Sequence, residues 1–163
     1  MCFVRNKWRD FEPTTQYLSV VSGLTSVIKL YNYSKTHFKY IAEKGDYWHT
    51  PIEFMENGGG DCEDWARWYV DILVRIQKKN NARFIVYSGY NKKRWGDKKM
   101  HHAICVFPYQ GKYAALDVTQ FASGYESHLA TGRRTFPDGI TRMVVRDWRG
   151  NILEKKRKWI GVF

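Results

Sequence analysis

Long hydrophobic runs are missing from this chain of 163 residues. The nearest approach, residues 17–31, is interrupted by Ser19, Ser22, Gly23, Thr25, Ser26 and Lys29, well short of the roughly 18 apolar residues that a bilayer-spanning helix requires. The opening residues 1–10 hold no apolar core of the kind a secretory signal carries. No membrane span is expected, and the expected location is the cytoplasm. Cysteine is scarce too. Cys2, Cys62 and Cys105 are an odd number, spread too thinly to staple a domain of this size, which fits a reducing compartment and leaves at least one free thiol. Repeats, low-complexity tracts and linkers are absent, so residues 1–163 are expected to form a single domain.

Negative charge is in short supply: 16 Asp+Glu stand against 27 Lys+Arg, a formal charge of +11. The surplus falls in short clusters such as Lys92-Lys93-Arg94 and Lys155-Lys156-Arg157-Lys158. Such clusters are solvated faces by default, and the alternative is a patch for an acidic protein or a nucleic acid. No RNA-binding signature or helix-turn-helix pattern supports the nucleic-acid reading. What the chain does have is aromatic mass, with 7 Trp, 11 Tyr and 9 Phe in a composition 44% apolar and 26% charged. That excludes a disordered chain, a coiled coil and collagen.

Tyr17, Val20, Val21, Leu24, Val27, Ile28 and Tyr31 recur at steps of three and four, predicting one amphipathic helix opened by Pro13-Thr14. A polar and aromatic connector is expected over 32–48. Thr50-Pro51 with Glu53 predicts a capped short helix ending before Gly58-Gly59-Gly60. From Asp61 the stripe Trp65, Tyr69, Ile72, Leu73 and Ile76 predicts a second strong helix. The period then changes. Residues 83–87, 100–107, 112–118, 142–148 and 158–163 are short, rich in β-branched and aromatic side chains, and bounded by turn formers, so they read as strands. Helices first and strands afterwards predict an α+β fold, with N-terminal helices packed on an antiparallel sheet.

Chemistry concentrates in Gly58-Gly59-Gly60-Asp61-Cys62-Glu63-Asp64-Trp65-Ala66. Cys62 opens a helix, where unpaired N–H groups and the helix dipole favour a thiolate nucleophile. Asp61, Glu63 and Asp64 oppose a second negative charge there. His102 lies on a later strand, joined through Pro108-Tyr109-Gln110-Gly111 to the strand that ends in Asp117. With Tyr109 and Gln110 as the central turn residues, Phe107 faces Lys112, Ile104 faces Ala115 and His102 faces Asp117. Opposed residues have Cβ atoms roughly 4.5–5.5 Å apart, close enough for a carboxylate to orient an imidazole. Cys62, His102 and Asp117 then make a nucleophile, a base and an orienting acid. Each also has a plain structural reading, as a packed thiol, a sheet histidine and a turn cap.

Trp48-x-Thr50-Pro51-x-Glu53, then Gly60-Asp61-Cys62-Glu63-Asp64-Trp65-Ala66, His102-Ala103-Ile104 and Leu116-Asp117 together resemble the bacterial transglutaminase-like cysteine proteinases. The likeness covers just under half the chain. It implies a papain-like fold and a Cys62, His102, Asp117 triad hydrolysing a peptide or amide bond in a protein or peptide substrate. Transfer to an amine is the alternative at the same site, and a non-catalytic basic binding protein is the alternative from another class. By the same resemblance the Trp48 indole joins the Cys62 backbone N–H as an oxyanion donor. No cofactor is required, and Asp61 and Glu63 become candidate calcium ligands because some members bind calcium through acids flanking the cysteine. Zinc is not expected. His102 and Cys105 are three apart on a strand and face opposite sides, and no Cys-x-x-Cys pair occurs. The glycine run is no phosphate loop, since acids follow it and no Gly-Lys-Ser/Thr does.

Overall fold

A helix continues only while its backbone has no better partner, and Ser26 supplies one. In the computed structural model, which describes residues 8–45 and 47–160, and of residues 158–160 the backbone alone, the expected single helix is two: α1 (Thr15–Val21) and α2 (Val27–His37). Thr14 caps the first by accepting from the Tyr17 N–H, and Ser26 caps the second by accepting from the Lys29 N–H. A serine at that position is worth more as a cap than as a helical residue. The second helix runs on through residues 32–37, which the sequence suggested were connector.

After β1 (Lys39–Tyr40), α3 (Pro51–Asn57) forms as expected, with the Thr50–Glu53 capping box at its start and Gly58 at φ 72° closing it. β2 (Gly59–Gly60) then pairs in parallel with β1. Its backbone runs so close that a Cβ on Gly59 would sit 1.9 Å from the Lys39 carbonyl oxygen. α4 (Cys62–Arg75) is the central helix, with every residue from Asp64 to Val74 buried. Phe38 and Phe54 pack on Trp65 and Trp68, and the Trp68 indole N–H donates to Ser34 Oγ at 2.9 Å.

The rest of the chain builds one sheet from β3 (Arg83–Tyr90), β4 (Lys99–Tyr109), β5 (Lys112–Asp117), β6 (Gln120–Tyr125), β7 (Ile140–Arg146) and β8 (Ile152–Ile160), with α5 (Lys92–Trp95) and α6 (His128–Arg133) between them. The order is β6-β5-β4-β3-β7-β8 and every pairing is antiparallel. One face, with Phe84, Ala103, Cys105, Phe107, Ala114 and Leu116, packs on α4. The other, with Ile85, Tyr87, Ile104, Val106 and Ala115, packs on Phe136 and the α6 segment, where the Tyr87 hydroxyl donates to the His128 carbonyl. The fold is α+β, and among the described residues no helix is long and apolar enough to cross a membrane.

β6 had no clear period in the sequence because its residues are half-exposed or exposed, and the six residues of α6 are too few for a helical period to show. The expected strand at 158–163 is in fact the end of a strand starting at Ile152, and residues 161–163 lie outside the described residues, as does Cys2. β8 is an edge strand, and the Lys155 to Arg157 cluster on it is the charge that discourages further pairing. The β4–β5 turn centres on Gln110 and Gly111, both at positive φ (51° and 78°), one residue later than expected. Two left-handed central residues give the twist that a tight hairpin needs, and Gly111 supplies one without strain. Tyr109 therefore pairs with Lys112 and Cys105 with Leu116.

Because Gly59 combines a φ of 141° with the Lys39 approach, Gly59→Ala is expected to cost at least about 2 kcal/mol in urea unfolding. Gly23→Ala, with nothing within 4 Å of the new methyl, serves as the control and is expected to shift stability by no more than about 0.5 kcal/mol.

Candidate active site

The thiol is positioned from both sides of its helix start. On one side the β1–β2 pair fixes the glycines, with the Lys39 N–H donating to the Gly58 carbonyl and the Ile41 N–H to the Gly60 carbonyl. On the other, Asp61 accepts from the Glu63 and Asp64 N–H groups while Asp64 accepts from the Asp61 N–H, a reciprocal cap that holds Cys62 in the first turn. Cys62 is 8% exposed. Its Sγ donates to Glu63 Oε2 at 3.0 Å and receives the backbone N–H of Ala103.

That neighbourhood decides between the two opposed influences expected at the thiol. Burial, and then the charge and hydrogen bond of Glu63, push it well above the ordinary thiol value, while the Ala103 N–H pulls it the other way. A helix N-terminus contributes about 0.3–1 kcal/mol in favour of an anion, and here desolvation and the carboxylates outweigh it.

His102 and Asp117 are brought into direct contact, with Nε2 and Oδ1 2.6 Å apart. The register that produces this differs from the expected one. Extending the Cys105–Leu116 pair by one step sets Asp117 opposite Ile104, so His102 is its diagonal neighbour. A turn shifted by one residue moves each pairing by two, which preserves the face on which each side chain lies. Diagonal neighbours, roughly 7–8 Å apart, are within reach of long side chains. The strand end carrying Asp117 is held by α4: Val118, at φ 50°, turns the chain, and its carbonyl accepts from the Tyr69 hydroxyl. β4 continues past the end of β5, so its stretch 99–103 has β3 on one side only. Cys62 meets the main chain there. The thiol and the imidazole are thus related through the single Ala103 N–H, while the thiol's proton is directed at Glu63.

Trp48 is buried, with its ring 5.3 Å from that of Phe84 and the Arg146 guanidinium 5.9 Å from its centroid. Its Nε1 is buried without a hydrogen-bond partner among the described residues. Both Trp48 and the Ala103 side chain belong to the helix-facing core.

Acidic side chains crowd the helix start. Asp61 has its carboxyl pushed up to about 8 by burial and by the charges of Glu63 and Asp64. Asp64 accepts from both the His49 N–H and His49 Nδ1 at 2.8 Å, and Glu43 Oε1 lies 3.0 Å from the same ring nitrogen. Glu43, His49 and Asp64 hold their ligand atoms within 4.8 Å of one another. Oxygen-rich and under-neutralised, Asp61 and Glu63 suit a hard cation in kind.

Sequence reasoning missed Tyr40, Glu43, His49 and Ser88. Tyr40 pairs with Gly60 across the β1–β2 bridge, and its hydroxyl is pushed up to about 12 by burial and by the charges of Cys62, Asp61 and Glu63. A two-residue parallel bridge has no sequence period, so nothing marked it. His49 stood inside the Trp48-x-Thr50 motif, where the backbone clamp by Asp64 was the missing signal. Ser88 Oγ lies 2.7 Å from Nδ1 of His101, which separates the two histidines: one is tied to Ser88 and the other to Asp117.

Comparison with known protein families gives no match to this chain, and no curated protein matches it. Among solved structures, calcium-bound LapG of Legionella pneumophila is similar at 20% identity and a TM-score of 0.47, over 77% of this chain and 64% of that one. LapG of the same organism is similar at 19% identity and a TM-score of 0.47 over 77% and 64%, and its EGTA-treated form at 19% and 0.47 over 77% and 62%. The chain therefore spans less than two thirds of the length of those structures.

Removing the Glu63 charge is expected to lower the thiol's pKa. Glu63→Gln should alkylate with iodoacetamide several-fold faster than wild type near pH 8, followed at the Cys62 peptide by mass spectrometry. The wild-type rate should still be climbing above pH 9. Equal rates for both proteins across that range would show that Glu63 does not govern the thiol.

Proposed function

We propose that this chain is a cysteine-dependent acyl-transfer enzyme of transglutaminase-like, papain-like type, acting foremost as a peptidase on protein or peptide substrates. The observation that carries the reading is the 2.6 Å His102–Asp117 pair lying one residue from the Ala103 N–H that meets the Cys62 thiol.

With Nε2 engaged by Asp117, Nδ1 of His102 is the nitrogen left to take the Cys62 proton. The sulfur electron pair attacks the carbonyl carbon, and the carbonyl oxygen becomes an oxyanion. Its donors are the Cys62 backbone N–H and the unpartnered Nε1 of Trp48. The tetrahedral centre collapses as His102 passes its proton to the leaving amine nitrogen. Water then gives a proton to His102 and adds its oxygen to the thioester carbon, and the thiol is regenerated with release of the acid. An amine in place of water gives transamidation. Asp117 holds the ring orientation and stabilises the imidazolium.

Calcium enters through the family resemblance: Asp61 and Glu63 would hold it, and a divalent charge there would offset the carboxylates that keep the thiol protonated.

Peptide-product mass spectrometry on a mixed protein substrate, with and without added amine and with calcium or EGTA, tests the reading. Wild type is expected to cleave, Cys62→Ala and His102→Ala to be inactive, and Asp117→Asn to lose about 10²-fold or more in kcat. Cleavage that survives in Cys62→Ala would refute it, and amine-dependent cross-links without cleavage would move the assignment to transamidation.

A further inference from the structure

We propose that the helix-facing side of β3, β4 and β7 carries a carboxylate-binding subsite beside the thiol, with Arg142 as its ligand-taking cation. The inference rests on the hydrolase reading of Cys62 and gives its substrate a chemical class: peptides with a carboxylate near the bond to be cut.

The sheet register assembles the subsite. Ala103, whose N–H meets the thiol, pairs with Val86, and Val86 pairs with Val144. In the next row on the same face His101 pairs with Ser88, and Ser88 with Arg142. Arg142, Val144 and Arg146 alternate along β7 and so project to that one face. Together with Val86, Ser88 and His101 they line a narrow pocket that has no carboxylate in its wall among the described residues. The β3–β7 register shifts between Ser88 and Gly89 at the pocket's end, and irregularities of this kind re-aim side chains.

The charges in that wall point to an anion. Burial and the neighbouring Arg142 both lower the pKa of Arg146, the effect of two like charges held together. Arg146 is committed structurally, donating from Nη1 to the Gly150 carbonyl and lying over Trp48. Arg142 has no such structural hydrogen bond among the described residues: its Nε is buried without a hydrogen-bond partner there, and a buried cationic donor is costly unless something accepts from it. Ser88 is 2% exposed and presents its hydroxyl, in hydrogen-bond contact with His101, in the same row.

Shape selects among anions. The pocket has room for about one water-sized group, so one carboxylate oxygen fits it whereas a tetrahedral phosphate does not. Guanidinium forks also match the flat edge of a carboxylate. Neighbouring strands lie roughly 4.8 Å apart, so the pocket begins about 5–10 Å from Ala103. An extended chain covers that in about two to three residues. A C-terminal carboxylate there would make the enzyme trim short peptides from chain ends, whereas an Asp or Glu side chain would make it cut internally.

Binding is read on Cys62→Ala, which needs no turnover, with three alanine-based hexapeptides as probes: one with a free C-terminus, one amidated with an internal Glu, and one amidated and neutral. Amide shifts of Ser88 and Arg142 are followed by NMR. At least one acidic probe is expected to bind 5-fold or more tighter than the neutral one, and which of the two does so names the source of the carboxylate. Arg142→Ala in the same background should abolish the preference, and Arg142→Lys should restore part of it. Equal affinities for all three probes, or a preference unchanged in Arg142→Ala, would overturn the subsite. Cleavage profiles of the active chain on the same peptides separate the two ideas. Preferential binding without cleavage removes the hydrolase reading alone, and cleavage without preference removes the subsite alone.

Discussion

Asp61 and Asp64 start α4 by capping each other, and the thiol end of the molecule is organised around that reciprocal pair. It holds Cys62 in the first helical turn. Through the other lone pairs of Asp64 it also clamps the main chain and ring of His49, which fixes the segment between Trp48 and α3. Gly60 must be glycine for this, since a Cβ there would lie 2.4 Å from Asp64 Oδ2. Three bonds into one buried carboxylate make it a structural anchor, and charge-assisted bonds of this kind are the strong ones.

The same anchor sets the electrostatic problem of the site. Adding Glu63 to the pair crowds three carboxylates into one turn, and the raised Asp61 carboxyl and raised Cys62 thiol are two signs of that crowding. A helix start chosen only to make a thiolate would carry no acids there. The arrangement therefore couples the ionisation of the sulfur to anything that neutralises the carboxylates, while the His102 imidazole is held by a separate acid, Asp117, from a different strand.

How much of this was legible in the sequence depends on which physical rule governed each element. The α3 cap and the course of α4 follow local chemistry and were readable. The His102–Asp117 contact was readable for a deeper reason: the turn was misplaced by one residue, yet a shift of two in register leaves the faces unchanged, so the contact survived as a diagonal one. The break at Ser22 to Ser26 was hidden because apolar spacing continues across it while the caps do not permit it. β6 was hidden because it is half-exposed and carries no clean alternation. The thiol's protonation was left open because dipole and carboxylates were both visible in the sequence, whereas burial, the first cause of the shift, is a tertiary property.

The formal +11 falls in short clusters along the sequence, and the fold segregates the signs around the thiol. Asp61, Glu63, Asp64 and Glu43 gather at the start of α4, and Arg142 and Arg146 lie two strands away on the facing side of the sheet. Between them run the backbone of Ala103 and the valines Val86 and Val144, which carry no charge. In the proposed peptidase, a peptide lying across this stretch would meet a potential that changes sign along its length, so reversing its direction would exchange attraction for repulsion at both ends. In partly desolvated surroundings such differences are little screened. Orientation of the substrate across Cys62 in the proposed peptidase would thus follow from where the sheet register puts two arginines.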